Sequence, residues 1–279
     1  MKRLFLMMMV AVAVQAVQAQ VTYQRADSIT VCRLLREAPQ DAGTLWFARR
    51  FKGVPYVAHT LEVNDEERLV VNTQQLDCTT LVETVTALTL CVRQGKRHWQ
   101  GFVDMLQRLR YRQGVLNGYA SRLHYFSDWI GDKEQQEIVK EIQAPNPPFT
   151  AVQRISVGYM SKNPERYEAL RKHPDLVAVI RKQEEVLTGV ERRFIPKRAV
   201  RNSSALKTAV HDGDIIAITC NKPGLDIAHL GFAVWRDDGL HLLNASQLHK
   251  KVVTEPMTLY QYLQKHPSHT GIRIIRIKQ

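Results

Sequence analysis

The chain has 279 residues, 44% of them hydrophobic, which is enough to fill the core of one large domain or two small ones and excludes an intrinsically disordered protein. A formal charge of +12 raises nucleic acid as a partner, but the basic residues are spread out and form no stripe, so no nucleic-acid binding is expected. Beyond the N-terminus there is no long apolar run, so no stable membrane insertion is expected either.

The chain opens with Met1-Lys2-Arg3, an apolar run from Leu4 to Val14, and small side chains at Val17-Gln18-Ala19. Positive charge, short apolar run and small-residue site together predict a signal peptide over 1–19, with the mature protein starting near Gln20 in the periplasm or outside the cell. Export also argues against a nucleic-acid partner, and loss of Lys2 and Arg3 lowers the charge only from +12 to +10. Residues 20–279 read as one catalytic domain without repeats or low-complexity runs. Residues 28–51 read as one or two helices that lead into a turn at Gly53-Val54-Pro55-Tyr56.

Asp77 is a good N-cap, and beyond it Leu81, Val85, Leu88 and Val92 recur with the spacing of one buried helix face. The spacing predicts a helix over 78–93 with Cys78 in its first turn. A thiol there meets the positive end of the helix dipole and unpaired N–H groups, which favour thiolate. A lone cysteine at a helix start is more often a small buried apolar residue, so Cys78 needs partners to count as a nucleophile. Cys32, Cys91 and Cys220 all fall in apolar settings and read as buried free thiols. No CxxC pair and no histidine spacing suggests a metal site, so no metal or other cofactor is expected.

From Trp99 to about Ala209 the pattern is mostly helical. Phe102, Val103, Leu106 and Leu109 share a face, Pro145-Asn146-Pro147-Pro148 is a rigid bend, and Asn163-Pro164-Glu165 predicts a helix start. Within this stretch, residues 117–129 have no clean period and crowd aromatic, basic and hydroxyl side chains together. Such segments often line a cleft. Tyr119, Ser121, Arg122, His124, Tyr125 and Trp129 are therefore candidates for substrate binding: aromatic faces for a sugar ring or methyl group, and a guanidinium fork for a carboxylate. The alternative is that Tyr125, Phe126 and Trp129 are core and Arg122 pairs with Asp128.

From Asp212 onward the chain reads as strand. Gly213–Thr219 and Ile227–Trp235 are the first two runs, Asp237-Asp238-Gly239 is a turn, and Leu240–Ser246 and Gly271–Ile277 follow. His229, near the start of one strand, and Asn244, near the end of its hairpin partner, would lie side by side. A cysteine, a histidine and an asparagine that orients the imidazole form the set that thiol catalysis requires. His241 alternates to the other side of its strand from Asn244, and His249 and His266 read as surface residues.

The ordered motifs Gly53-Val54-Pro55-Tyr56-Val57, Asp77-Cys78-Thr79, Gly213-Asp214-Ile215, Ala228-His229-Leu230-Gly231 and Asn244-Ala245-Ser246 resemble the NlpC/P60 superfamily of papain-like cysteine peptidases and amidases that cut bacterial peptidoglycan. Thr79 replaces the more usual serine, and Asn244 stands where a histidine is common. The long segment between Cys78 and His229 resembles the secreted, N-acetylmuramoyl-L-alanine amidase-like branch. The resemblance implies an α+β fold: a papain-like NlpC/P60 core in which the nucleophile helix packs on an antiparallel β-sheet, with a large helical insertion over 99–209. It implies cleavage of the amide between N-acetylmuramic acid and L-alanine in muropeptides or peptidoglycan fragments, with Cys78, His229 and Asn244 catalytic. The backbone N–H of Cys78 and the Tyr56 hydroxyl would form the oxyanion hole, and Asp77 would help fix the substrate. A basic protein suits the carboxylates of such stems. Cleavage between D-glutamate and the diamino acid, and a non-catalytic muropeptide-binding protein, are the alternatives.

Overall fold

The structure is a computed structural model and describes residues 21–278. The expected signal peptide lies outside the described residues. Among the described residues no helix is long and apolar enough to cross a membrane.

Among the described residues ten strands are formed: β1 (Val21–Thr22), β2 (Leu69–Val70), β3 (Val139–Ile142), β4 (Ala151–Arg154), β5 (Glu191–Pro196), β6 (Ile215–Cys220), β7 (Ile227–Arg236), β8 (Gly239–Ser246), β9 (Lys251–Thr254) and β10 (His269–Ile277). β1 and β2 make a small parallel pair. The other eight form one antiparallel sheet in the order β4-β5-β10-β6-β7-β8-β9, with β3 also pairing to β10. Strand alternation then sorts the core. Ile215, Ala217, Leu230, Phe232, Leu243 and Ala245 face one cluster, and Ile216, Ile218, Ala233, Leu240 and Leu242 face another. This is why β6 and β8 are buried at every residue.

The first cluster is covered by the helices α1 (Arg25–Glu37), α2 (Thr44–Arg50), α3 (Cys78–Arg93), α4 (Trp99–Arg110) and α5 (Phe126–Gln135). α3 is the central one, buried from Thr80 to Val92. A helix this enclosed has to satisfy its polar side chains internally. Glu83 does so through Arg110 on α4, whose Nε lies 2.7 Å away and whose Nη1 donates to the Val70 carbonyl at 2.5 Å. The second cluster is closed by the short helix Leu259–Gln264.

The 99–209 stretch carries more than helices. It also supplies β3, β4 and β5, so it is built into the sheet through β10 and does not stand apart from it. Asn163-Pro164-Glu165 opens only a single turn, Pro164–Arg166, followed by short helices at Glu168–Lys172 and Leu176–Leu187. The four cysteines are all free.

Candidate active site

α3 begins as its sequence dictates. Asp77 is extended, its Oδ1 accepts from the Thr80 N–H at 2.8 Å, and its own N–H donates to Thr80 Oγ1 at 2.9 Å, a reciprocal capping box. Cys78 follows as the first helical residue and is only partly buried. The preceding strand-like residues are pinned in place. Tyr56 bridges Leu76, and Gly53, Val54 and Tyr56 bond along the outer edge of β9.

His229 and Asn244 are set by the β7–β8 register. Phe232 pairs with Leu243, which places Asn244 across from Gly231 and leaves His229 as its diagonal neighbour. Gly231 permits this close approach, since a Cβ there would lie 2.6 Å from the Leu243 carbonyl oxygen and 2.8 Å from Leu242 Cδ1. The His229 Nε2 and Asn244 Oδ1 atoms are 2.8 Å apart, and Asn244 is fully buried.

Cys78 and His229 line one cavity of about 270 Å³, together with Thr79, His124, Tyr125, Phe126, Met160, Tyr167 and the Leu225–Leu230 strand entry. Burial pushes the Cys78 thiol up to about 12, with the Asp77 carboxylate adding to the effect, against hydrogen bonds from the Leu230 backbone and the Thr79 side chain. Burial also lowers the His229 imidazole below its ordinary value, against the raising influence of Asn244 and Glu255. In both groups burial thus favours the neutral form. The helix start is expected to favour thiolate, and burial of the thiol acts in the opposite direction.

The 117–129 segment divides. His124 and Tyr125 reach the cleft wall. The His124 Nε2–H donates to the Tyr119 carbonyl at 3.0 Å, and burial, with Arg122 nearby, lowers its pKa to about 3, so it presents a neutral ring. The Tyr125 hydroxyl donates to buried Glu184 at 2.7 Å and accepts from the Met160 N–H. The other four candidates do not line the cleft. Trp129 is 1% exposed and stacks on Phe126 at 4.9 Å as part of the main core. Ser121 is spent on its own loop, donating to the Gly118 carbonyl and accepting from Asn117. Arg122 is buried and meets Glu62 at 2.6 Å and Glu67 at 3.5 Å, while Asp128 is taken by Arg112. Tyr119 lies under the Arg122 guanidinium and lines a different cavity, of about 550 Å³, on the acidic 61–67 side.

Asp77 is likewise occupied, by the cap. Tyr56 does not line the cavity, but Cys78 and Asp77 are close enough to help burial raise its phenol to about 12. Sequence reading missed Met160, Tyr167 and Asp226 in the cleft wall, as well as Glu255 and His249 behind Asn244. No local pattern marks any of them. Among the described residues no group of three or more His, Cys, Asp or Glu side chains is arranged to hold a metal ion.

The family model for N-acetylmuramoyl-L-alanine amidase-like proteins of the AmiA-like type matches residues 46–272, which defines an amidase-like hydrolase. An N-acetylmuramoyl-L-alanine amidase from Bacteroides uniformis is 40% identical, with a TM-score of 0.79 over 86% of this chain and 99% of that one. A Bacteroides fragilis protein, described only provisionally as a xylanase, is 42% identical with a TM-score of 0.76 over 82% and 99% of the two chains. A Legionella pneumophila protein shares the fold at 20% identity, with a TM-score of 0.69 over 90% and 94%. No curated protein matches the sequence. The chain belongs to the AmiA-like, N-acetylmuramoyl-L-alanine amidase-like family.

Proposed function

We propose that the protein is an exported, cysteine-dependent N-acetylmuramoyl-L-alanine amidase with an NlpC/P60-type papain-like core, acting on soluble muropeptides. The observation that carries this reading is the cleft in which Cys78, at the start of a buried helix, faces the same space as His229, whose imidazole is bonded to Asn244. The B. uniformis relative's name supports the choice of bond, and the Met1–Ala19 pattern supports export.

The chemistry follows from the hydrogen bonds. Asn244 Oδ1 can only accept, so His229 Nε2 carries its hydrogen and Nδ1 is the free base. With burial favouring the neutral form of both partners, proton transfer from the Cys78 thiol to His229 accompanies attack of the sulfur on the amide carbonyl. The backbone N–H of Cys78, which has no intrahelical acceptor, offers a donor to the oxyanion, worth roughly 3 kcal/mol in the transition state. The imidazolium then protonates the leaving amine of L-alanine, the thioester between sulfur and the lactyl carbonyl remains, and water, deprotonated by His229, cleaves it to regenerate the thiol.

Mass spectrometry of products from a defined muropeptide tests the reading. Free stem peptide and N-acetylmuramic acid are expected from the natural protein and nothing from Cys78→Ala. Full activity in the variant would end the thiol mechanism. A product with muramic acid still joined to L-Ala-D-Glu would move the cut to the γ-D-glutamyl bond.

A further inference from the structure

Behind Asn244 lies a carboxylate that the reaction does not touch. Glu255 follows β9 and is 1% exposed. Its Oε1 accepts from Asn244 Nδ2 at 3.0 Å, and its Oε2 lies 3.0 Å from the Nε2 of His249, which is partly open to solvent. The other Nδ2 hydrogen faces the Leu242 carbonyl at 3.4 Å. A carboxamide can turn either end toward a neighbour, and its surroundings decide which. A carboxylate has no proton to offer, so it draws Nδ2 and turns Oδ1 to His229. That oxygen in turn holds the imidazole hydrogen on Nε2.

We propose that Glu255 is a positioning residue that sets the His229 tautomer through Asn244, with His249 holding the carboxylate from the solvent side. The consequence for turnover rests on the amidase reading above; the tautomer itself does not. The main chain at Glu255 is anchored without its side chain: its N–H donates to the Leu242 carbonyl at 2.8 Å, and its carbonyl accepts from His241 Nδ1 at 2.9 Å. The side chain is therefore free of the task of holding β9 against β8. Its charge also raises the His229 pKa against burial, which favours the imidazolium formed during attack.

Two measurements test this on the full mature chain. Long-range ¹H–¹⁵N spectra of the imidazoles should show His229 as the Nε2–H tautomer in the natural protein and as a mixture in Glu255→Gln. An unchanged tautomer in that variant overturns the proposal. In steady-state kinetics on a defined muropeptide, Glu255→Gln should lower kcat roughly tenfold, the effect of one charge-assisted hydrogen bond, with KM within about twofold. In an Asn244→Ala background the same substitution should change kcat less than about twofold, because Glu255 acts through Asn244. Equal losses in both backgrounds, or a loss that follows a fall in Tm, would overturn the proposal. If Glu255→Gln does not fold, Glu255→Asp withdraws the carboxylate by one methylene and should move tautomer and kcat in the same direction. A natural protein that keeps the Nε2–H tautomer but cleaves no muropeptide would refute the amidase reading and leave the positioning role intact.

Discussion

Replacing Arg122 with alanine separates a structural cation from a substrate-binding one. The guanidinium is 6% exposed and lies between Glu62, one-third exposed, and Glu67, which is as buried as Arg122 itself. Without it, Glu62 keeps its contact with water, whereas the Glu67 side chain, 6% exposed, loses its nearest cation. Deleting one partner of a buried ion pair costs about 3–5 kcal/mol. Glu67 keeps the Tyr111 hydroxyl as a donor at 2.8 Å, which places the loss at the lower end, about 3 kcal/mol. For a chain of this size that corresponds to a Tm about 6–12 °C lower. The loss also has a pH signature. Burial already raises the Glu67 carboxyl above the ordinary glutamate range, opposed by Arg122 and Tyr111, and removal of Arg122 raises it further. A group whose folded pKa lies above its unfolded one contributes stability below the unfolded value and loses it as pH rises through the folded value. The variant's deficit should therefore be large at pH 7.5 and shrink as the pH falls toward 5, measured by calorimetry at both. An unchanged Tm at both values, with kcat/KM for muropeptides down more than tenfold, would refute the structural assignment and return Arg122 to the substrate.

Two further outcomes follow from the cleft. With the Cys78 thiol raised to about 12, iodoacetamide labelling of the free protein should climb steadily between pH 6 and 9, with no plateau, as peptide mass spectrometry would show. A plateau already present at pH 6 would mean a preformed thiolate. Gly231→Ala forces a Cβ against the Leu243 carbonyl and the Leu242 side chain, so it should cost about 1–3 kcal/mol by thermal unfolding and lower activity by shifting His229 from Asn244.

What was legible in the sequence was local. Asp77 before an apolar stripe marks the start of α3, and the Asp237-Asp238-Gly239 turn between two apolar runs fixes the hairpin on which His229 and Asn244 meet. Alternation likewise puts His241 away from Asn244. In the 117–129 segment the sequence leaves open a cleft lining and a core with an Arg122 ion pair, and local pattern cannot choose between them. Arg122 finds its acidic partners some sixty residues earlier, in a loop without periodicity, and Trp129 lies on a buried helical face that starts at Phe126 and that local crowding conceals. Glu255 escaped for the same reason. Its tie to Asn244 exists only because β9 pairs with β8, and no spacing within either strand announces a carboxylate behind the amide. Partners of buried charges are chosen by tertiary packing, so pattern reading finds the elements before it finds the pairs.

The turn that carries Tyr56 does more than lead into the cleft. Residues 53–56 run along β9, exchanging bonds with Lys250 and Val252, with Pro55 bridged to Lys251. β9 would otherwise be an outer strand with donors and acceptors facing water, the kind of edge on which a second chain can add its own strand. The turn fills those positions, and its proline has no N–H to extend the ladder further. Protection from strand-to-strand association and alignment of the segment before Cys78 are thus carried by the same four residues, and the sheet cannot gain a strand on this side without first displacing the turn that leads into α3.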